Sequence, residues 1–483
     1  MNRLINFLFL VVLLAVSGHV VAQTKTNPPN IILVIGDDIS YDDIGCYGNG
    51  KVRTPNIDRL SERGIRFNNM YVTSSSCSPS RTSLLTGRYP HNTGAAELHE
   101  PLPAHLTFFP ELLQKAGYYT ALAGKWHEGP ETARAYDRME VGRKRNGEGG
   151  EKQWMDVLDT AHASGKPFFL WLAAIDAHRP WSADSQFHVL HDPEQDVEVP
   201  ATLWDDGETR GDLASYYNEI GRLDSYVGKI VQNLRKKKIL DNTVIIFMAD
   251  NGRPFPGSKT RLQDRGLKVP FVVCWPEQVD QSCVTEALCS GVDVGPTLLD
   301  IAGVTPTPDM QGRSFVSVLK KPSSSFRNYV FSEHNWHDFE AYERAVRTKD
   351  YLYVYNGRPK LDNGGSLDVR NTPSYRSLER LIGSGKLTEL QREPFLKPRQ
   401  REEFYVMATD SVQVRNEIGN PTYAHQIDRL RDILHRWQRE TGDTEPEVLT
   451  HRIAKPDGKF RKVKGEMPGA SCDATHNHNK GPF

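Results

Sequence analysis

Four apolar runs along the chain each end abruptly in charged or amide residues. Asn30 to Gly36 runs into Asp37-Asp38, and Asn242 to Ala249 runs into Asp250-Asn251. Pro167 to Ile175 runs into Asp176-Ala177-His178, and Tyr118 to Gly124 into Lys125-Trp126-His127. Continuous apolar stretches of this length fit strands buried on both faces, as in parallel sheets. Helical spacing lies between them, over Leu106 to Ala116 and over Gly211 to Lys237, where Leu213, Tyr217, Ile220, Leu223, Val227 and Ile230 recur. Strands alternating with helices predict an open α/β fold. In such sheets ligands bind beyond the carboxyl ends of the strands. Four strands that finish in ionisable residues therefore aim their chemistry at one rim.

The pattern changes near residue 325. Arg344 to Thr348 and Tyr351 to Tyr355 read as short strands around a turn at Lys349-Asp350, and Tyr423 to Glu440 as a helix. This predicts a large domain over residues 23–325, a smaller α+β subdomain over 326–445 and a basic tail over 446–483. Residues 356–400, rich in Gly, Pro, Arg and Ser, read as a long loop or insertion. The tail ends in His476 and His478; a mobile surface segment is favoured over a metal site there. No internal repeat is visible.

Charge narrows the picture. The 60 basic and 61 acidic residues nearly cancel, which argues against general nucleic-acid binding or a broadly cationic membrane surface. Arg3, the apolar stretch from Leu4 to Val16 and the small residues before Ala22 describe a secretory leader cleaved between Ala22 and Gln23. The stretch is too short for a membrane span of about 20 residues, so a periplasmic or secreted protein without a stable membrane anchor is expected. Six cysteines (Cys46, Cys77, Cys274, Cys283, Cys289 and Cys472) are available in that compartment, with Cys283 and Cys289 as one conceivable pair across a short loop.

The segment from Cys77 to Arg88 carries the sharpest chemical signal. Read from its residues, a cysteine precedes a short helix beginning near Pro79, whose free N–H groups favour an anion. Arg81 lies one turn on and offers a bidentate cation; a cysteine that merely packs is the alternative. Cys77-x-Pro79-x-Arg81 followed by Leu85-Thr86-Gly87-Arg88 resembles the signature of type I sulfatases. Gln311-Gly312-Arg313-Ser314 and Glu403-Phe404-Tyr405 extend the likeness. Gly124 to Pro130 and Asp250 to Pro256 are most similar to the branch of heparan N-sulfatase (sulfamidase) and its bacterial polysaccharide-sulfatase relatives.

The resemblance implies an alkaline-phosphatase-like α/β fold with a large, mostly parallel mixed sheet, flanked by helices and followed by a smaller α+β domain. It implies that a formylglycine-generating or anaerobic sulfatase-maturating enzyme oxidises Cys77 to formylglycine (3-oxoalanine), whose gem-diol is the nucleophile. Asp37, Asp38, Asp250 and Asn251, with the modified Cys77, resemble the ligand set for one calcium ion; hard oxygen donors suit calcium or magnesium rather than zinc. Arg81, Lys125, His127, His178 and Lys259 match the family's basic residues, although Ala177 stands where the family has proline. His334, His337 and Arg344, near Trp336 and Arg347, offer contacts to a sulfated or uronic sugar, or form an ordinary surface loop. The expected substrate is a sulfated polysaccharide or its oligosaccharides, such as ulvan or heparan. N-sulfated glucosamine is the alternative substrate. The two alternative functions are a phosphonate or phosphodiester hydrolase and a catalytically silent glycan-binding relative.

Overall fold

The computed structural model describes residues 28–142, 150–181, 190–279, 281–362, 364–456, 459–470 and 475–483; the expected leader and Cys472 lie outside them. Among the described residues, eight strands form one sheet in the order β4-β3-β5-β1-β6-β7-β2-β8. They are β1 (Asn30–Gly36), β2 (Ile65–Tyr71), β3 (Tyr119–Gly124), β4 (Arg138–Val141), β5 (Phe168–Ala173), β6 (Thr243–Ala249), β7 (Phe271–Cys274) and β8 (Cys283–Ser290). The four runs picked out by hydrophobicity are the four adjacent strands β3, β5, β1 and β6, paired in parallel. Their residues are buried almost without exception, because helices cover both faces and no strand needs a polar side. β7 alone runs against its neighbours and makes the sheet mixed.

The long helix Gly207–Lys236 begins where Asp206 accepts a hydrogen bond from the Thr209 N–H, a conventional N-cap. Its apolar stripe, including Leu213, Ile220, Leu223, Val227 and Ile230, is buried against the sheet. The helix expected over Leu106 to Ala116 is shorter, Phe109–Lys115, with Pro110 in its first turn.

Past residue 325 a second, antiparallel sheet has the order β12-β11-β10-β9, with β9 (Val330–His334), β10 (Glu343–Arg347), β11 (Tyr351–Asn356) and β12 (Glu402–Val406). The helix Ala424–Thr441 lies on it through Ile427, Leu430, Leu434 and Trp437. Trp437 stacks on Phe331 with centroids 5.0 Å apart and also meets Tyr89 edge-on, tying this sheet to the large domain.

Two expectations are corrected here. Cys283 and Cys289 stand on the same strand, β8, six positions apart and hence separated by about 20 Å of extended chain, so no loop brings them together. Both are free, as are Cys46, Cys77 and Cys274. The basic C-terminal stretch is docked rather than loose. It carries a hairpin of β13 (His451–Ala454) and β14 (Phe460–Val463). Lys462 on β14 reaches Glu97 at 2.7 Å and Glu100 at 2.6 Å, and Gln311 donates to the carbonyl of Asn479 at 2.7 Å.

Candidate active site

Strand register assembles the centre. Gly36 of β1 lies beside Ala249 of β6, so Asp37-Asp38 and Asp250-Asn251 leave the sheet side by side. On the other flank the Asp37 N–H donates to the carbonyl of Asp176 at 2.8 Å, and the Lys125 N–H to that of Ala173 at 2.8 Å. Asp37, Asp38, Asp250 and Asn251 are fully buried. Asp38 takes a left-handed φ of 58°, a conformation that aspartate adopts more readily than most residues, and its N–H donates to Asp250 Oδ1 at 3.1 Å.

Cys77 is the first residue of a buried helix, Cys77–Thr86, which starts two residues earlier than the sequence suggested and ends at Gly87 in a left-handed cap. Its Sγ lies 4.0 Å from Asp38 Oδ1. Ligand atoms of Asp37, Cys77 and Asp250 all fall within 4.8 Å of one another. Burial pushes the Cys77 thiol well up, beyond what the nearby Lys125 and Lys259 charges offset. An unmodified cysteine here stays protonated and is a poor nucleophile.

Arg81, one turn on, donates from Nε to Asp250 Oδ2 at 2.8 Å and lies 3.9 Å from Asp37 Oδ1. Burial lowers its proton affinity, but Asp250 and Asp37 more than compensate, so its charge is secure. Its two terminal nitrogens are buried with no hydrogen-bond partner. The guanidinium therefore braces the carboxylates chiefly through Nε and leaves its terminal N–H groups open.

Two further cations complete the ring. Lys125 Nζ lies 2.5 Å from Asp37 Oδ2. Lys259 Nζ lies 2.7 Å from Asp38 Oδ2 and 2.7 Å from Asp368 Oδ2. Burial lowers the proton affinity of both amines, but Asp37 for Lys125 and Asp368 with Asp38 for Lys259 more than offset it, so both pKa values stand above the usual lysine value. His178 Nε2 lies 3.4 Å from Asp368 and 3.9 Å from Asp38. Asp176, two residues before it, is instead gripped by Arg222 of the long helix, with a Nε to Oδ2 bond of 2.6 Å. In the Asp176-Ala177-His178 run the aspartate thus anchors the loop and the histidine faces the site. The Asp176–Ala177 peptide is cis.

The structure therefore brings Asp37, Asp38, Cys77, Arg81, Lys125, His178, Lys259, Asp250 and Asn251 into one pocket. His127 stands at its edge, with Nε2 2.6 Å from His99 Nδ1. Of the sugar-contact candidates, His337 comes nearest, its Nδ1 2.7 Å from the hydroxyl of Ser76, the residue before Cys77. His334 is buried with neither ring nitrogen bonded. Arg344 is fully buried and donates from Nε and Nη2 to the two carboxylate oxygens of Asp443, at 2.6 and 2.8 Å. Neither side chain reaches the rim: His334 is buried on β9, and Arg344, on the opposite face of the second sheet, is held by Asp443. Two residues escaped the sequence reading. Asp368 sits in a segment with no periodicity, and His99 in a loop whose only signal was a histidine between Leu98 and Glu100. A cavity of about 780 Å³ opens beside Asp368, lined also by Arg179, Trp181, Arg370 and Arg376.

The donor set fits a hard divalent cation. Three carboxylates and an amide crowd one buried volume, and Asp37 Oδ1 and Asn251 Oδ1 have no hydrogen-bond partner there. Buried oxygens left bare in this way match the ligand demand of calcium or magnesium. A second cluster, Asp38, His178 and Asp368, surrounds the Lys259 ammonium, which already supplies its cation.

Fold and site together define a class: an α/β protein whose sheet edge carries a buried carboxylate and amide cluster, suited to a cation, beside a cysteine and fixed basic side chains. Comparison with known proteins narrows it. The family profile described as "Sulfatase" matches residues 29–304, and "N-sulphoglucosamine sulphohydrolase, C-terminal" matches residues 258–394. Human N-sulphoglucosamine sulphohydrolase is 29% identical over 507 residues, spanning 95% of this chain and 97% of its own length. An ulvan-active sulfatase of Formosa agariphila is 30% identical over 455 residues, covering 86% of this chain and 75% of that protein. Among solved structures, one in complex with its substrate D-glucosamine-2-N,6-O-disulfate aligns with a TM-score of 0.67 at 20% identity, over 86% of this chain and 98% of that one. A phosphonate monoester hydrolase from Silicibacter pomeroyi aligns at 0.66 with 18% identity, over 90% and 99%. The chain belongs to the sulfatase family and is an enzyme of that family.

Proposed function

We propose that this chain is a periplasmic or secreted, calcium-dependent sulfatase that removes sulfate from a sulfated polysaccharide or its oligosaccharides, with formylglycine at position 77. The observation that carries this reading is the buried group of Asp37, Asp38, Asp250 and Asn251 beside Cys77, ringed by Arg81, Lys125 and Lys259. No helix among the described residues is long and apolar enough to cross a membrane.

Asp37, Asp38, Asp250 and Asn251 would hold the ion. The ion and the modified residue 77 would together supply an activated hydroxyl nucleophile and charge neutralisation at the sulfuryl oxygens. The protein's own groups do the rest. Arg81 presents its two unpartnered nitrogens to the anion, while Lys125 and Lys259 neutralise the charge that grows in the transition state. Because these cations are already fixed by Asp37, Asp38 and Asp368, little reorganisation accompanies reaction. His178 or Lys259 delivers a proton to the departing oxygen or nitrogen. His127, held neutral by burial and by Lys125, accepts a proton on the nucleophile side.

The C-terminal profile and the full-length human relative favour N-sulfated glucosamine as the second substrate reading. A direct test is sulfate release by enzyme co-produced with a maturation enzyme. The panel comprises ulvan oligosaccharides, heparan N-sulfate disaccharides, other glycosaminoglycan disaccharides, an aryl sulfate and an aryl phosphodiester. Release from at least one sulfated sugar, abolished in Cys77→Ala with the thermal melt unchanged, is expected. Faster turnover of the phosphodiester than of every sulfate ester would reassign the enzyme.

A further inference from the structure

His127 does not act alone in this pocket. Its Nε2 lies 2.6 Å from Nδ1 of His99, with the rings 4.7 Å apart and tilted by 48°. A contact this short between imidazoles is a hydrogen bond with one donor and one acceptor. His99 is held there deliberately. Its backbone takes a left-handed φ of 66°, and its N–H donates to the hydroxyl of Ser78, next to Cys77, at 2.8 Å. On either side, Leu98 donates to the carbonyl of Trp336 at 3.0 Å, and Glu100 is held by Lys462 of β14 at 2.6 Å.

We propose that His99 is a positioning residue that fixes the tautomer of His127: Nε2–H of His127 donates to Nδ1 of His99, leaving His127 Nδ1 a bare acceptor.

Two observations set the direction. His127 Nδ1 is buried without a hydrogen-bond partner, and Lys125 and Arg81 are among the charged groups that act against protonation of the ring. A lone pair is favoured among cations, whereas an N–H aimed at them is repelled and also leaves a buried donor unpaired. His99 is exposed, so its own Nε2 keeps its proton toward water, and its Nδ1 is free to accept. Although part of the His99 ring meets water, partial desolvation and the Lys125 charge lower the proton affinity of both rings. A neighbouring group that orients an imidazole by hydrogen bonding to its other ring nitrogen is a general device; here that neighbour is another imidazole.

The inference rests on the proposed role of His127 for its kinetic consequence, but its structural claim stands apart from activity. ¹⁵N NMR of the histidine-labelled chain with Cys77 unmodified, with the His127 resonance identified by His127→Gln, reads the tautomer directly. A pyridine-type Nδ1 and a protonated Nε2 on His127 are expected in the wild type. In His99→Gly, which relieves the positive φ but removes the acceptor, the two tautomers should mix. In the modified enzyme, His99→Gly should lower kcat about tenfold or more with little change in KM. His99→Asn tolerates the same backbone and returns an acceptor oxygen, so it should recover most of that loss. Protonated Nδ1 on His127 in the wild type, or wild-type kcat in His99→Gly, would overturn the proposal. A wild type without sulfatase activity would instead defeat the functional reading, and the NMR result would still decide this one.

Discussion

Asp368 is the residue on which the two halves of the site depend. It approaches Lys259 at 2.7 Å and His178 at 3.4 Å, and Lys259 in turn reaches Asp38. Burial would raise the Asp368 carboxyl, but Lys259, His178 and His337 together hold it well below the usual carboxylate range. It is therefore ionised and fixes Lys259, the lysine proposed to face the leaving group. Asp368→Asn keeps the shape and removes the charge, so Lys259 loses one of its two anchors. We predict a fall of about tenfold in kcat/KM on the best sulfated substrate, equivalent to about 1.4 kcal/mol of transition-state stabilisation. An unchanged kcat/KM would show that Asp38 alone positions the lysine. Nothing in the sequence pointed to Asp368. It lies between Gly365 and Asn371 in a stretch with neither strand nor helix periodicity, and only tertiary folding carries it to the rim. Lys125 and His178, by contrast, were legible because each follows an unbroken apolar run.

At the scale of elements, the site is a consequence of parallel register. β3, β5, β1 and β6 stand side by side, so four separate sequence segments open onto one edge with no further specification. That much follows from hydrophobic runs and the rule that sites lie at carboxyl ends. The start of the Cys77–Thr86 helix and the boundaries of short helices are less legible, since helix starts depend on local backbone geometry rather than on periodicity. Gly252 shows how tightly the β6 end is packed. A Cβ there would lie 2.1 Å from the carbonyl oxygen of Arg265 and 2.8 Å from the Cα of Gly266. Both are backbone atoms that cannot swing aside, so Gly252→Ala must displace the turn carrying Asp250 and Asn251. Calcium at a hundredfold its Kd should stabilise the wild-type chain by about 2.7 kcal/mol, and Gly252→Ala should lose most of that calcium-dependent rise in Tm. An equal thermal shift in both proteins would mean that this turn does not hold the ion.

The whole molecule is built so that its second sheet and C-terminal stretch reinforce the rim. Trp437 packs on Phe331, Arg344 locks Asp443, and Lys462 pins the loop before and after His99 through the Leu98 carbonyl and Glu100. His334 and Arg344 looked like sugar contacts in the sequence because they are polar and follow the core domain. They are buried on opposite faces of the second sheet, because β9 and β10 are covered on both sides, a relation set by topology and invisible in a linear pattern. One measurement tests the account as a whole. Preparations with graded maturation are analysed for the fraction of chains in which Cys77 has lost its sulfur, by peptide mass spectrometry, and for the rate of sulfate release per mole of protein. The account predicts a straight line through the origin. Activity independent of that fraction, or present where Cys77 is wholly unmodified, would contradict it.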